Sequence, residues 1–295
     1  MKIATTTGDF DYYVKTFEDC VKYVHEAGFK YVDMNLGGKY FTADDWEYQA
    51  KALREYADKL GVKFVQAHSP NATVLTSNRW DKELHYGNRS IELCEILGVE
   101  NLVIHAAYDK SYDKKIWYEE NEKFYRALLP MAEKKNVCIL TENTTHANFG
   151  DGWFYLYTGA DMVEFIEYIN HPLLEAVWDT GHGTTEGSQY DNIVALGKHL
   201  RGLHVHDNNG KADEHSMPYT GVLNLDQVMN ALIDIDYKGY FTFEVINAMR
   251  LANKRQTFEK DKRLAQPTLE MRKHMEKLLY HIGEYALSSY GIFEE

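Results

Sequence analysis

Acidic and histidine residues recur along the chain at a fixed interval. His68, His105, Glu142 and Asp179 are separated by 37 residues each time, as expected if each holds the same place in a repeated strand–helix unit. Several carboxylates crowded into one poorly solvated place repel each other unless a cation neutralises them. The types and spacing of these residues therefore predict a metal site.

A regular alternation of strand and helix patterns positions these residues. The predicted strands are Lys2–Thr6, Tyr31–Asn35, Lys63–His68, Asn101–His105, Val137–Glu142, Glu175–Asp179, Gly202–His206 and Tyr240–Val245. The predicted helices between them are Thr16–Ala27, Ala43–Leu60, Trp80–Leu97, Tyr118–Lys134, Asp161–Ile169, Gln189–His199 and Leu225–Ile235. This order predicts an α/β protein with a single (β/α)8 TIM barrel over residues 1–295, closed by a C-terminal helix at about residues 265–288.

The carboxyl ends of barrel strands form the active face of such a fold. His204 and Glu244 follow the same pattern on the last two strands, and both Glu142 and Glu244 end apolar runs in which glutamate is disfavoured. Two Glu, one Asp and one His make a mixed nitrogen and oxygen set suited to one divalent ion, Mn²⁺, Zn²⁺, Co²⁺ or Fe²⁺, with Mg²⁺ less suited. Taken singly, a strand-end His could be structural and Asp179 could cap the next turn.

The charge balance and the cysteines exclude several classes of protein. The 295 residues contain 32 Lys plus Arg and 45 Asp plus Glu, a net charge of −13, so no nucleic-acid partner is expected. Cys20, Cys94 and Cys138 are too far apart for a disulfide framework or a thiolate zinc cluster. The start has no apolar signal region and no long apolar stretch occurs, which predicts a cytoplasmic protein with no membrane partner.

Four segments resemble those of the xylose-isomerase-like TIM-barrel superfamily. They are Leu140-Thr141-Glu142-Asn143, Trp178-Asp179-Thr180-Gly181-His182, Leu203-His204-Val205-His206-Asp207-Asn208 and Phe243-Glu244. That superfamily contains sugar phosphate isomerases and epimerases, ketose 3-epimerases, hydroxypyruvate isomerases, inosose dehydratases and apurinic endonucleases of the endonuclease IV type. The resemblance extends over nearly the whole chain.

The resemblance implies roles for individual residues. Glu142, Asp179, His204 and Glu244 would be the shared metal ligands, and Glu142 and Glu244 would also be catalytic, one on each face of the substrate. An isomerase or epimerase of a small carbohydrate or polyol would use them to move a proton through an enediolate. The expected substrate-binding or metal-supporting residues are His68, His105, His182, Asp213, His215 and Arg250.

Three other functions remain open at this point. Asp213-Glu214-His215, with His68, His105 and His182, completes the nine-residue, three-zinc pattern of the endonuclease IV-type branch, which cleaves abasic DNA. A lyase acting on a sugar or inosose could use the same enolate, and a barrel could bind sugar without turnover.

Two positions depart from the family pattern, so the resemblance does not specify the exact substrate. The chain has Pro218-Tyr219-Thr220-Gly221 where relatives often have Pro-Gly-Glu-Gly. His206 stands where many relatives have lysine, and it could face the barrel wall.

The long segment from Asn143 to Gly159 is rich in aromatic residues. Phe149, Trp153 and Tyr155 are among them, and such rings could stack on the apolar face of a sugar or pack against a second subunit. The resemblance implies a homodimer or homotetramer.

Overall fold

A ring of parallel strands forms the centre of the protein. The computed structural model describes residues 1–37, 39–70, 79–150, 152–248 and 267–295. The strands are β1 Lys2–Thr6, β2 Tyr31–Asn35, β3 Lys63–His68, β4 Asn101–Val103, β5 Cys138–Glu142, β6 Leu174–Asp179, β7 Leu200–His204 and β8 Tyr240–Phe243. Consecutive strands pair from β1 to β7, β8 pairs with β1, and a bridge between Val205 and Phe243 joins β7 to β8. The predicted single-domain (β/α)8 TIM barrel is confirmed.

A helix separates each strand from the next and one follows the last strand. They are α1 Phe17–Ala27, α2 Trp46–Leu60, α3 Trp80–Leu97, α4 Lys114–Lys135, α5 Gly159–Ile169, α6 Gln189–Leu196, α7 Leu225–Asp234 and α8 Leu269–Ser289. Short helical turns occur at Lys39–Thr42, His146–Phe149 and Thr180–Thr184, with 3-10 turns at Thr7–Phe10 and Gly197–His199.

The helix ends follow local sequence signals. The side chains of Thr16 and Thr158 accept hydrogen bonds from backbone N–H groups in the first turns of α1 and α5. Gly61 and Gly98 end α2 and α3 with φ of 71° and 73°, a left-handed conformation that glycine adopts without steric cost. These signals explain why the helix boundaries predicted at these ends fall close to the observed ones.

Three strands end earlier than predicted. β7 stops at His204 because, after a single parallel bridge from Val205 to β8, the chain pairs antiparallel with itself, Asp207 with Ser216. β4 ends at Val103, which places His105 two residues past the strand, and β8 ends one residue before Glu244. The site residues therefore lie both on the strand ends and just beyond them.

The apolar core lies mainly between the strands and the helices. Side chains alternate along each strand, so Ile139 and Trp178 join the large cluster packed under the helices. Leu140 and Val177 belong to a separate small apolar cluster on the opposite face of the same strands. In the described parts of the chain, no helix combines the length and the apolar content needed to cross a bilayer.

Candidate active site at the carboxyl ends of the strands

Four predicted ligands meet at one end of the barrel. Glu142, Asp179 and His204 are the last residues of β5, β6 and β7, and Glu244 directly follows β8. One potential ligand atom from each of the four lies within 4.8 Å of the others, and all four side chains are buried. We call these four residues the strand-end cluster. Their positions follow from the parallel strands, whose carboxyl ends all face the same side.

His204 is at the centre of the strand-end cluster. Its Nδ1 lies 2.8 Å from Glu142 Oε1 and 3.6 Å from Glu244 Oε2. Its Nε2 lies 3.0 Å from Asp33 Oδ2. Burial alone would lower the pKa of His204, but the carboxylates of Glu244 and Glu142 outweigh it and hold that pKa well above its usual value. The imidazole is thus fixed between carboxylates on both sides.

A second group shares Glu142 with the strand-end cluster. His105 Nε2 lies 2.6 Å from Glu142 Oε2, and His68 Nε2 lies 3.0 Å from His105 Nε2. Burial favours the protonated form of Glu142, yet the neighbouring His204 and His105 hold its pKa well below the usual value. Glu142 is therefore an ionised carboxylate whose two oxygens face two different groups of imidazoles.

A third group contains His182, Asp213 and His215. Asp213 Oδ2 lies 3.2 Å from His182 Nε2, and Asp213 Oδ1 lies 3.2 Å from His215 Nε2. Although burial opposes ionisation of Asp213, His215 and His182 hold its pKa well below the usual value. Burial would lower the pKa of His215, but Asp213 raises it to about 10. The structure thus brings together, in three groups, the four expected ligands and five of the six expected supporting residues, His68, His105, His182, Asp213 and His215.

Asp179 has two roles in the structure. Its Oδ1 accepts a hydrogen bond from the backbone N–H of His182 at 2.7 Å and so caps the turn Thr180–Thr184. Its Oδ2 lies 2.9 Å from His206 Nε2. The capping role considered from the sequence and the position in the strand-end cluster are therefore compatible, since each uses one oxygen.

His206 faces the site and not the barrel wall. Its ring stacks on that of His215 with centroids 3.9 Å apart, and its Nε2 is directed at Asp179. A Cβ atom on Gly181 would lie 1.9 Å from the ring of His206, so the absence of a side chain there makes room for the imidazole. His206 therefore links the strand-end cluster to the third group.

Two buried residues of the site were missed by the sequence analysis. Asp33 on β2 contacts His204, and the side-chain amide of Gln66 on β3 donates a hydrogen bond to Asp33 Oδ2 at 2.8 Å. The available signal was the same as for Glu142, because Asp33 interrupts an apolar strand between Val32 and Met34. Arg250 lies outside the described residues.

A cavity of about 410 Å³ opens above the cluster. Its volume is in the range of small-molecule sites. Tyr108 and Phe149 form an aromatic wall on one side, with ring centroids 4.7 Å apart and Trp153 packed behind them. Among the described residues that line it, none is lysine or arginine. A larger cavity of about 620 Å³ lies around Lys2 and Tyr240 at the opposite end of the barrel.

The chemistry of the site fits a divalent metal. Asp33 Oδ1 is a buried carboxylate oxygen to which the described residues supply no donor, and the buried Glu142 Oε2 and Asp213 Oδ1 contact only imidazole nitrogens. Crowding buried carboxylate oxygens is costly, and a divalent cation among them removes that cost. The mixed imidazole and carboxylate donors of the strand-end cluster suit Mn²⁺, Zn²⁺, Co²⁺ or Fe²⁺.

The chain is similar in sequence to several proteins. The family model described as "Xylose isomerase-like TIM barrel" matches residues 21–272. An uncharacterized protein of Sinorhizobium fredii is 21% identical over 252 residues, which cover 75% of this chain and 78% of that protein. Fructoselysine 3-epimerase of Escherichia coli O157:H7 is 41% identical over 51 residues, which cover 17% of this chain and 18% of the epimerase.

Solved structures share the same fold. D-psicose 3-epimerase from Clostridium cellulolyticum H10, solved with D-tagatose, superposes with a TM-score of 0.78 at 18% identity, covering 97% of this chain and 99% of that one. A family 2 AP endonuclease from Brucella melitensis superposes with a TM-score of 0.70 at 15% identity, covering 84% and 93%. At these identities the structural similarities show a shared barrel fold alone.

Proposed function

The chain belongs to the xylose isomerase-like TIM barrel family, and on that premise we propose that it is a divalent-metal-dependent isomerase or epimerase of a small carbohydrate. The observation that carries this proposal is the pair of buried glutamates at His204. Glu142 and Glu244 approach the same imidazole nitrogen, at 2.8 Å and 3.6 Å, from different strands. A proton transfer with removal and return requires two such acid–base groups close to one centre.

The strand-end cluster would hold the metal. A bound divalent ion would polarise the carbonyl and hydroxyl oxygens of a hydroxy-ketone and make the neighbouring C–H more acidic. Glu142 carries no proton of its own, because its pKa is held well below the usual value. One glutamate would remove the proton from the carbon next to the carbonyl and become protonated, and the other, which starts protonated, would return its proton to the opposite face of the substrate enediolate. Proton exchange with solvent would then restore both carboxyl groups. Asp33 orients His204 throughout.

The cavity supports a carbohydrate as the substrate. Its lining combines hydrogen-bonding groups, among them Asn35, His182 and Thr144, with the aromatic wall of Tyr108 and Phe149. Sugars present hydroxyl groups around the ring and apolar C–H faces, which such a lining complements. Two of the similar proteins are named for the same class of reaction, a D-psicose 3-epimerase and a fructoselysine 3-epimerase.

Solvent deuterium exchange tests this function. Protein loaded with Mn²⁺ or Co²⁺ is incubated in D₂O with D-fructose, D-psicose, D-tagatose, L-ribulose and fructoselysine, and deuterium next to the carbonyl is followed by NMR. We expect incorporation into at least one sugar and formation of its epimer or isomer. Absence of exchange with all five sugars contradicts the proposal.

Two variants connect the exchange to the glutamates. Glu142→Gln and Glu244→Gln should each abolish conversion between epimers while the barrel remains folded. Glu175→Gln is the matched control, because Glu175 lies on β6 and pairs with His199 at 2.8 Å, away from the cavity. Full conversion by both glutamine variants would refute the mechanism.

A second function is favoured by one specific observation. The nine residues of the strand-end cluster and of the groups around His105 and His215 form three sets, each with ligand atoms within 4.8 Å of one another. Three clustered metal ions suit phosphodiester hydrolysis. The net charge of −13 opposes DNA binding. Three zinc ions per chain together with cleavage of an abasic oligonucleotide would establish this alternative.

A further inference from the structure

We infer that Arg272, on the C-terminal helix α8, is a positioning residue that holds Glu244 in place for proton transfer. The inference rests on the proposed function, and it assigns a role to the helix that closes the barrel. Arg272 does not line the cavity and would act through the backbone next to Glu244.

Glu244 needs support from outside the sheet. Glu142 is the last residue of β5 and pairs with Val177 of β6, so the strand ladder fixes its backbone. β8 ends at Phe243, one residue before Glu244. The backbone N–H of Glu244 still donates to Val205 O at 3.1 Å, which ties it to the chain that follows β7. The carbonyl oxygen of Glu244 lies 3.2 Å from Nδ1 of His215, and the N–H of Asn247 donates to His215 O at 3.2 Å. The carbonyl of Val245, between these two contacts, faces α8.

Arg272 binds the carbonyl oxygen of Val245 from the outer side of the barrel. Its Nη1 donates to the carbonyl oxygen of Val245 at 3.0 Å, and the side chain is fully buried. Its Nη2 contacts Asp9 and lies 2.7 Å from Glu276 Oε2. A guanidinium presents several donors in one rigid plane, so its direction is fixed by two carboxylates while it binds the carbonyl.

The same group of charges connects α8 to the first strand. Thr5 Oγ1 on β1 donates to Glu276 Oε1 at 2.8 Å, while Asp9 follows β1 in the turn Thr7–Phe10. Burial raises the pKa of Asp9 well above its usual value, although Arg272 opposes this. Burying one guanidinium with two carboxylic groups is costly compared with apolar packing. A role in setting the direction of the backbone at Glu244 would explain why this costly buried group is present.

The two faces of the substrate provide a readout that general destabilisation cannot imitate. For a pair of epimers interconverted by the wild type, one exchanges its proton through Glu142 and the other through Glu244. The epimer whose exchange is lost in Glu244→Gln identifies the face served by Glu244. Arg272→Met should slow exchange from that epimer by about 10–100-fold, because misplacing a catalytic group by ~1 Å costs on that order. With Mn²⁺ or Co²⁺ at saturating concentration, exchange from the other epimer should stay close to that of the wild type.

Further variants and a second readout keep the test decisive if Arg272→Met folds poorly. Arg272→Lys and Glu276→Gln are milder changes and should shift the ratio of the two exchange rates in the same direction. Metal affinity, measured by competition with a chelator, should fall in the same variants because Glu244 is a proposed ligand. Lys273→Met is the matched control, since Lys273 is the next residue of α8 and pairs with Glu26 of α1 at 3.2 Å.

The outcomes separate the inference from the proposed function. A selective loss on the face of Glu244 in folded variants supports the inference. Equal loss on both faces, or wild-type rates and affinity in all three variants, overturns it. If the wild-type protein exchanges neither epimer, the proposed function itself fails.

Discussion

Asp33 Oδ2 lies 3.0 Å from Nε2 of His204, on the far side of the imidazole from Glu142. Asp33 comes from β2 and His204 from β7, so the contact crosses the interior of the barrel. A carboxylate that binds one ring nitrogen of a histidine holds the other nitrogen ready as a metal ligand and fixes the orientation of the ring. In this protein the nitrogen left for a metal is Nδ1, which faces both glutamates.

Asp33→Asn should weaken metal binding without unfolding the barrel. The amide keeps the size of the side chain but loses the charge that orients and polarises His204, and such contacts are worth about 10–100-fold in metal affinity. Chelator competition measures the change. Asp234→Asn is the control, because Asp234 lies exposed on α7 and binds Tyr190. Equal affinity in Asp33→Asn and wild type would show that the contact has no role in metal binding.

Gly181 and His206 should be strongly coupled. A Cβ at Gly181 would lie 1.9 Å from His206, so Gly181→Ala should reduce the free energy of unfolding by about 1–3 kcal/mol through overpacking. The same change should cost much less in a His206→Ala background, where the ring is absent. Urea unfolding of the wild type, the two single variants and the double variant gives the coupling energy. Additive effects would contradict the close approach.

The stability of the metal-free protein should fall as the pH rises above neutrality. Asp213 raises the pKa of His215 to about 10, whereas in the unfolded chain a histidine releases its proton near pH 6.5. The folded state therefore holds the proton that the unfolded state has lost, and stability decreases from about pH 6.5 to pH 10.

His215→Asn should flatten this pH dependence. Asparagine tolerates the positive φ of 48° at this position, so the backbone can be retained. His281→Asn, at an exposed position on α8, serves as the control and should keep the wild-type slope. Urea unfolding of chelator-treated protein between pH 6.5 and 10 measures how the free energy of unfolding of each protein changes with pH. An unchanged slope in His215→Asn would assign the dependence to other groups.

The aromatic wall should affect binding more than chemistry. Phe149→Ala removes a ring that lines the cavity and packs against Tyr108, and the lost stacking should raise KM several-fold with little change in kcat. Tyr285→Ala, at a side chain on α8 that is 65% exposed, is the control. Steady-state kinetics on the sugar that exchanges deuterium provides the measurement. A fall in kcat at constant KM would show instead that Phe149 stabilises the transition state.

The fold could be predicted from the sequence because its signals are local. Strands β1, β2 and β3 were predicted at their observed bounds because apolar runs mark them. Helix α3 was predicted at its observed bounds as well, and Gly98 marks its end. The end of β7 could not be predicted locally, because it depends on the pairing of Asp207 with Ser216. The start of α4 at Lys114 was predicted four residues late, at Tyr118, although Asp113, whose side chain caps the helix, is a local signal that the prediction did not use.

The candidate site was predictable where one residue type stands out at a strand end. Glu142 and His204 could be found in that way. Asp33 and Gln66 could not be related to His204, since their contact requires the curvature of the barrel to bring β2, β3 and β7 together. The role of Arg272 was equally hidden, because it depends on how α8 returns to the ends of β1 and β8.

Metal content tests the central claim most directly. Mass spectrometry of the untreated protein should find at least one Mn, Co, Zn or Fe per chain, and His204→Ala should lose it while remaining folded. Close to one ion per chain agrees with the sugar-converting site at Glu142, Asp179, His204 and Glu244, and close to three zinc ions favours the phosphodiesterase. If the wild type holds no metal above background, even after incubation with Mn²⁺, Co²⁺ and Zn²⁺, the claim of a metal site is contradicted.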